Sequence, residues 1–193
     1  IVFWGVGKPR KELKADSLSA EDSVLEQSKT DASQDRLDTD KLLRLNPDYV
    51  GWIKIDMTEI NYPVVFKQDA DDDENPYLDQ DFYQKPSENG CIFKSNWGAT
   101  EGSAISNTIL LGRNSGDGQM FSELEQYRRV EFLTQHRMIQ YSSLDESHTY
   151  RVFAVYIVVR DSEKDYYDYF GFWGGDAEGA AKFLLKLRED SVF

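Results

Sequence analysis

The sequence predicts an α+β domain built on a mainly antiparallel sheet or barrel. Three observations carry this. Five or six short apolar segments separated by turn signals read as strands. Only two or three stretches have helical spacing, too few for alternating parallel units. A chain of 193 residues with 11 Tyr, 11 Phe and 4 Trp can bury one sizeable core.

Taken in order, the elements begin with IVFWGVG, residues 1–7, followed by the basic run KPRKELK. The apolar run is far too short to span a bilayer, which takes about 20 residues. It reads either as the tail of a longer membrane helix or as a short apolar patch at a frayed end. The basic cluster does not decide orientation. Residues 8–41 are polar, rich in Ser and Asp, and read as a linker or arm with some helical tendency. The folded domain is expected from residue 42 to residue 193.

LLRLNPDYVGWIKI predicts a short helix stopped at Asn46-Pro47, then a turn, then a strand beginning at Trp52. INYPVVF follows as a second strand, with Pro63 favouring an edge or a bulge. Seven acidic residues lie between Asp69 and Asp81. Asp69, Asp71 and Asp73 fit positions one, three and five of a calcium loop. Glu74 stands where that loop needs Gly, and Gln80 where it needs a bidentate Glu, so a solvated acidic loop is the better reading.

GCIFKSNW predicts a strand, with Cys91 as a small buried apolar residue in preference to a nucleophile. GATEGSAISN is a loop of small residues, and NTILLG the next strand, leading into the glycine-rich turn RNSGDGQMF. Ser122 and Glu125 have capping-box spacing, and Leu124, Tyr127, Val130 and Leu133 recur every three residues, predicting a helix with one buried face. His136 falls at its C-terminal end, where a positive imidazole suits the dipole. His148 is expected exposed in the turn LDESHT. YRVFAVYIVV, apolar on both faces, predicts a central strand, and AEGAAKFLLKLRED a terminal helix.

Composition excludes several functions. The net charge is −13, which repels phosphate backbones and anionic lipid, so no nucleic-acid partner is expected. The single cysteine permits no intrachain disulfide. A zinc site would need Cys91, His136, His148 and a carboxylate with none of the usual spacings, so neither metal nor cofactor is expected. The nucleophile elbow, the Walker loop and His-Glu-x-x-His are all absent, and GDG at 116–118 completes no dinucleotide fingerprint.

NPDYVGWIKI, INYPVV, YLDQDFY, GCIF, NTILLGRN followed by DGQMF, and VFAVY occur in the order expected of a class B sortase. The resemblance covers residues 40–193. It implies a sortase-like, mainly antiparallel β-barrel with an N-terminal helical arm and peripheral helices. It also implies a membrane tether upstream of residue 1 and a place on the extracellular face of the plasma membrane of a Gram-positive envelope. Members are cysteine transpeptidases that cleave the sorting signal of a secreted protein. They join its new carboxyl end to an amine, in this class usually of the cell-wall precursor.

That chemistry takes a cysteine thiolate, a histidine proton shuttle and an arginine for the oxyanion. In the family the histidine ends a strand in a Tyr-Gly-His-Asn type motif; here the matching residues are Leu111, Gly112, Arg113 and Asn114. Arginine, with a pKa above about 12, cannot accept and return a proton as histidine does. The family's nucleophile motif and catalytic arginine come later, beyond Phe193, and Cys91 matches an ordinary strand residue. On the resemblance, then, the last strands are missing and no catalytic group is intact. Arg113 fills the histidine position, and Asn114 is the one candidate for substrate binding.

Three readings follow. The chain is a non-catalytic binding or scaffold module derived from a sortase, or part of a longer sortase, or an enzyme of another kind using Cys91 or a carboxylate. Nothing in the sequence favours the third. A barrel lacking two strands would leave open edges, which is a solubility liability.

Overall fold

The computed structural model describes residues 2–6, 39–96, 108–156, 177–189 and 191. In chain order these form β1 (Val2–Val6), α1 (Thr39–Leu45), β2 (Tyr49–Lys54) and β3 (Asn61–Phe66). A 3-10 turn (Pro76–Leu78), β4 (Ile92–Lys94) and β5 (Ile109–Arg113) come next, then a 3-10 segment (Ser122–Arg128), α2 (Val130–Gln135), β6 (Met138–Ser143), β7 (Ser147–Arg151) and α3 (Ala177–Glu189). The strands make one sheet in the order β1-β5-β4-β3-β2-β6-β7. Four of its pairings are antiparallel; β1 with β5 and β3 with β4 are parallel. Residues 8–38 of the expected linker, the small-residue loop at 98–107 and residues 157–159 of the expected central strand lie outside the described residues.

Alternation along the strands sends side chains to two faces, and both are buried. Trp52, Val65, Phe93, Ile109 and Leu111 face one side, where Leu42 of α1 and Tyr77, Phe82 and Cys91 cover them. Ile53, Val64, Ile92 and Leu110 face the other, under Phe121 and Tyr127. A sheet covered on both faces explains why β5 reads as a continuous apolar run.

Pro63 sits opposite Trp52 in the β2–β3 ladder, but β4 reaches only Val64, Val65 and Phe66 of β3. The missing N–H therefore falls where β3 has no second strand beside it, the environment that proline requires. The ladder also changes register between Tyr49 and Gly51, and β2 starts three residues before the expected Trp52.

Other expectations change. The apolar N-terminal run, left open between a membrane tail and a frayed end, is a strand at Val2–Val6, and no helix among the described residues is long and apolar enough to cross a membrane. Of the expected central strand YRVFAVYIVV, only Tyr150 and Arg151 lie in a described strand, β7, which among the described residues pairs with β6 alone and is exposed along its length; residues 152–156 are in no strand. There the Val155 N–H bonds Ser191 Oγ at 3.0 Å, a partner outside the sheet. β6 was not legible, because MIQYSS alternates weakly and sits between two helical-looking stretches.

The capping-box helix also takes another form. Phe121, not Ser122, is the N-cap, no side chain caps the segment, and a 3-10 helix runs to Arg128 before α2 starts afresh at Val130. Ser122 Oγ instead faces Asp117 Oδ1 at 3.4 Å and Glu125 accepts from Asn114, so both residues of the box are drawn to the preceding loop. Tyr127 is buried as expected, whereas Val130 is 55% exposed.

Candidate functional site

β5 ends at the residue that the sequence singled out. All five of its residues are buried, and Gly112 is there because nothing larger fits. A Cβ at this position would lie 2.7 Å from Phe121 Cδ2 and 3.2 Å from Ile92 Cγ1. Phe121 is held by its own N–H, which donates to the Arg113 carbonyl at 2.9 Å and closes the loop 114–120. The strand end is thus fixed from both sides of the loop.

Arg113 is 6% exposed. Its Nε donates to the Leu78 carbonyl at 2.8 Å, and its Nη2 pairs with Asp79. Asp79 is 71% exposed, so the guanidinium is buried while its counter-ion faces water. A buried guanidinium needs such partners, since an unpaired charge there would cost several kcal/mol. Leu78 and Asp79 come from the YLDQDF stretch, 35 and 34 residues earlier in the chain. Sequence reasoning missed both; the only signal was a carboxylate among many that could answer an arginine.

Asn114 turns the other way. Its Nδ2 donates to Glu125 Oε1 at 2.8 Å, while its Oδ1 is buried with no hydrogen-bond partner among the described residues. Further along, Ser115 Oγ lies 3.4 Å from Asn89 Oδ1, and Asn89 Nδ2 donates to Gln119 at 2.8 Å. The loop following β5 is therefore stitched to the segment preceding β4. Arg113 and Asn114 are brought to one strand end, with a charged donor on the first and a free acceptor on the second.

The remaining candidates add no reactive group to this end, although the Cys91 N–H bonds the Tyr77 carbonyl, one residue before the Leu78 carbonyl that seats Arg113. Cys91 packs among Tyr77, Phe93, Ile109 and Leu111 and is 4% exposed. Burial pushes its thiol far above the usual range and the Asp81 charge pushes it further, only partly offset by the Ile92 backbone, so no thiolate forms near neutral pH. His136 is the C-cap of α2 but is buried, with Nδ1–H donating to the Asp56 carbonyl at 3.0 Å and its ring 4.0 Å from that of Phe132. It stands at the C-terminal end of α2, as the sequence placed it, and fastens that end to the β2–β3 turn. His148 is exposed as expected, though in β7, beside Glu146 at 2.7 Å.

The acidic run is mostly solvated, with one exception. Asp72 is 8% exposed; Ser95 Oγ donates to its Oδ2 at 2.5 Å, and its Oδ1 has no hydrogen-bond partner among the described residues. Burial raises its pKa above the ordinary carboxylate value, offset in part by Ser95. Among the described residues no group of three His, Cys, Asp or Glu side chains could hold a metal ion.

The thiol's burial gives a direct expectation. In native buffer at neutral pH, Cys91 should react with a thiol reagent about 100-fold or more slowly than in denaturant. Equal rates would mean that the thiol is accessible and reactive.

No family model matches the chain. Sortase B of Listeria monocytogenes is 29% identical over 195 residues, covering 98% of this chain and 75% of the relative. Sortase B of Staphylococcus aureus is 33% identical over 128 residues, covering 66% of this chain and 49% of that relative. Among solved structures, the Staphylococcus aureus sortase B–substrate complex superposes with a TM-score of 0.71 at 25% identity, over 90% of this chain and 76% of that one. Sortase B from Listeria monocytogenes superposes with a TM-score of 0.66 at 31% identity, over 80% and 83%.

Proposed function

The chain belongs to the class B sortases, and on that premise we propose that residues 1–193 bind a sorting-signal peptide without turning it over. The observation that carries this reading is the state of Arg113: buried, pinned to the Leu78 carbonyl and Asp79, and standing where the family resemblance puts the proton-shuttling histidine.

Transpeptidation divides into attack on the peptide carbonyl, proton transfer to the leaving amine, and stabilisation of the oxyanion. Arg113 can supply a fixed hydrogen-bond donor, which helps to bind a carbonyl oxygen. It cannot relay a proton. The one thiol is sealed in the core, and the hydrogen bonds of the two histidines run elsewhere, to the Asp56 carbonyl and to Glu146. Residues 1–193 thus hold groups for binding and none for the covalent step. We place this activity at the extracellular face of the plasma membrane, where an exported peptide and a cell-wall amine would meet.

The test uses peptides carrying the sorting signals of proteins secreted by the same organism, with triglycine as the acceptor amine. Binding is read by fluorescence anisotropy and products by mass spectrometry. The expected outcome is binding that Arg113→Ala weakens about tenfold, the loss of one charge-assisted hydrogen bond. No peptide–triglycine conjugate should form with this chain or with Arg113→His. A conjugate from the unaltered chain would overturn the reading, and so would binding indifferent to Arg113.

A further inference from the structure

Arg113 is held more firmly than the carboxylate that neutralises it. Its main chain stands opposite Val6 in the β1–β5 ladder, and its carbonyl accepts the Phe121 N–H at 2.9 Å. Its Nε is fixed on the Leu78 carbonyl at 2.8 Å, a bond that orients the guanidinium without help from any other charge. The Arg113 side chain is 7% exposed, whereas that of Asp79 is 71% exposed.

The two ends of this ion pair therefore differ in what moving them takes. Moving Arg113 would break its bond to Leu78 and disturb a side chain packed inside the domain. Moving the Asp79 side chain only returns a mostly hydrated carboxylate to water. Its backbone would stay in place, because the Asp79 N–H donates to the Pro76 carbonyl at 3.1 Å and the Asp79 carbonyl accepts the Ser87 N–H at 2.9 Å. Among the described residues, Leu78 and Asp79 each accept from one nitrogen of the guanidinium, whose fork carries five N–H donors in all. Such a fork is matched to a planar carboxylate that takes two parallel N–H bonds at once.

We propose, resting on the reading that this site binds a peptide, that it takes the peptide's free carboxyl end and that Asp79 is the internal carboxylate which this ligand displaces. The peptides selected are those that end at the arginine, not those that run on past it. Charge favours exchange over simple addition. The chain carries a net charge of −13, so a second carboxylate beside Asp79 would meet repulsion, while exchange leaves the charge at the guanidinium unchanged. Arginine also keeps its own charge at every working pH, so the seat is always ready for an anion. The reaction that supplies such a ligand is cleavage of a peptide bond, a step for which residues 1–193 hold no group.

The test uses the sorting-signal peptides of the binding assay above, shortened to end at successive positions. Each is made once as the free acid and once as the carboxamide, and binding is read by fluorescence anisotropy at neutral pH. At one end position the acid is expected to bind about tenfold tighter than the carboxamide, the difference between a charged and a neutral partner for the guanidinium. Arg113→Gln should remove that preference. Asp79→Asn, which weakens the internal competitor, should raise the affinity of the acid about fivefold and leave that of the carboxamide little changed. Equal affinities at every end position, with binding still dependent on Arg113, would overturn the carboxylate assignment and leave peptide binding standing. Acid binding weakened by Asp79→Asn would overturn it too, since Asp79 would then help to seat the ligand. No binding by any peptide, full-length or shortened, would overturn the peptide reading itself and the carboxylate assignment with it. The comparison of acid with carboxamide is made on the unaltered chain, so it decides the matter even where a variant fails to fold.

Discussion

Replacing Asn46 with alanine is expected to cost about 3–4 kcal/mol of stability, a large part of what a domain of this size has to spare. Asn46 is fully buried where α1 gives way to β2. Its Nδ2 donates to Tyr77 Oη and to the Phe82 carbonyl, both at 2.8 Å. Its Oδ1 accepts from the Asp48 N–H at 2.9 Å and from Gln84 Nε2 at 3.2 Å. The Tyr77 hydroxyl passes its own proton on to Asp48 Oδ2 at 2.9 Å, which also receives Lys67 Nζ at 3.0 Å.

Alanine would leave the Phe82 carbonyl and the Asp48 N–H facing a void. Each buried group stripped of its partner costs about 1–3 kcal/mol, while the bonds themselves net less. Chemical denaturation measures the loss; a value under about 1 kcal/mol would mean that water substitutes for the amide. The consequence extends to the candidate site. Tyr77 immediately precedes Leu78, whose carbonyl seats Arg113, so a loosened Tyr77 should weaken peptide binding as well as stability.

Gly90→Ala is expected to cost about 3 kcal/mol or more, by a different mechanism. Gly90 has φ +62°, a left-handed conformation that costs an L-residue about 1–2 kcal/mol. A Cβ there would also lie 2.5 Å from the Tyr77 carbonyl oxygen and 2.6 Å from that of Leu78. Those oxygens are backbone and cannot swing aside. One accepts the Cys91 N–H at 2.8 Å and the other accepts Arg113 Nε at 2.8 Å. The substitution should thus lower the denaturation midpoint and detach Arg113 in the same variant. Unchanged stability would show that the 76–90 segment yields freely, and the seat of Arg113 would then not be rigid.

The two variants separate what was legible in the sequence from what was not. The helix stop at Asn46-Pro47 was readable, because proline restricts the residue before it whatever the fold. The role of the Asn46 amide was not, since its partners Tyr77 and Phe82 lie 31 and 36 residues away and no local pattern names them. β2, β3, β4 and β5 announced themselves by apolar runs between turns. β7 misled, because the residues after Arg151 are as apolar as a central strand, while among the described residues no strand lies outside it to pair with.

The sequence by itself determined the fold class, the family, the strand that ends at Arg113 and the chemical limit which an arginine there imposes. Each rests on local quantities: side-chain periodicity, turn chemistry, the order of short motifs and the basicity of a guanidinium. Only the tertiary structure decided that Arg113 is pinned by Leu78 and Asp79, that Cys91 is sealed from solvent, and that β1 lies along β5. Those are pairings between segments distant in the chain. Many carboxylates could answer one arginine and many apolar runs could cover one strand edge. The choice among them is made by the packing of the whole domain.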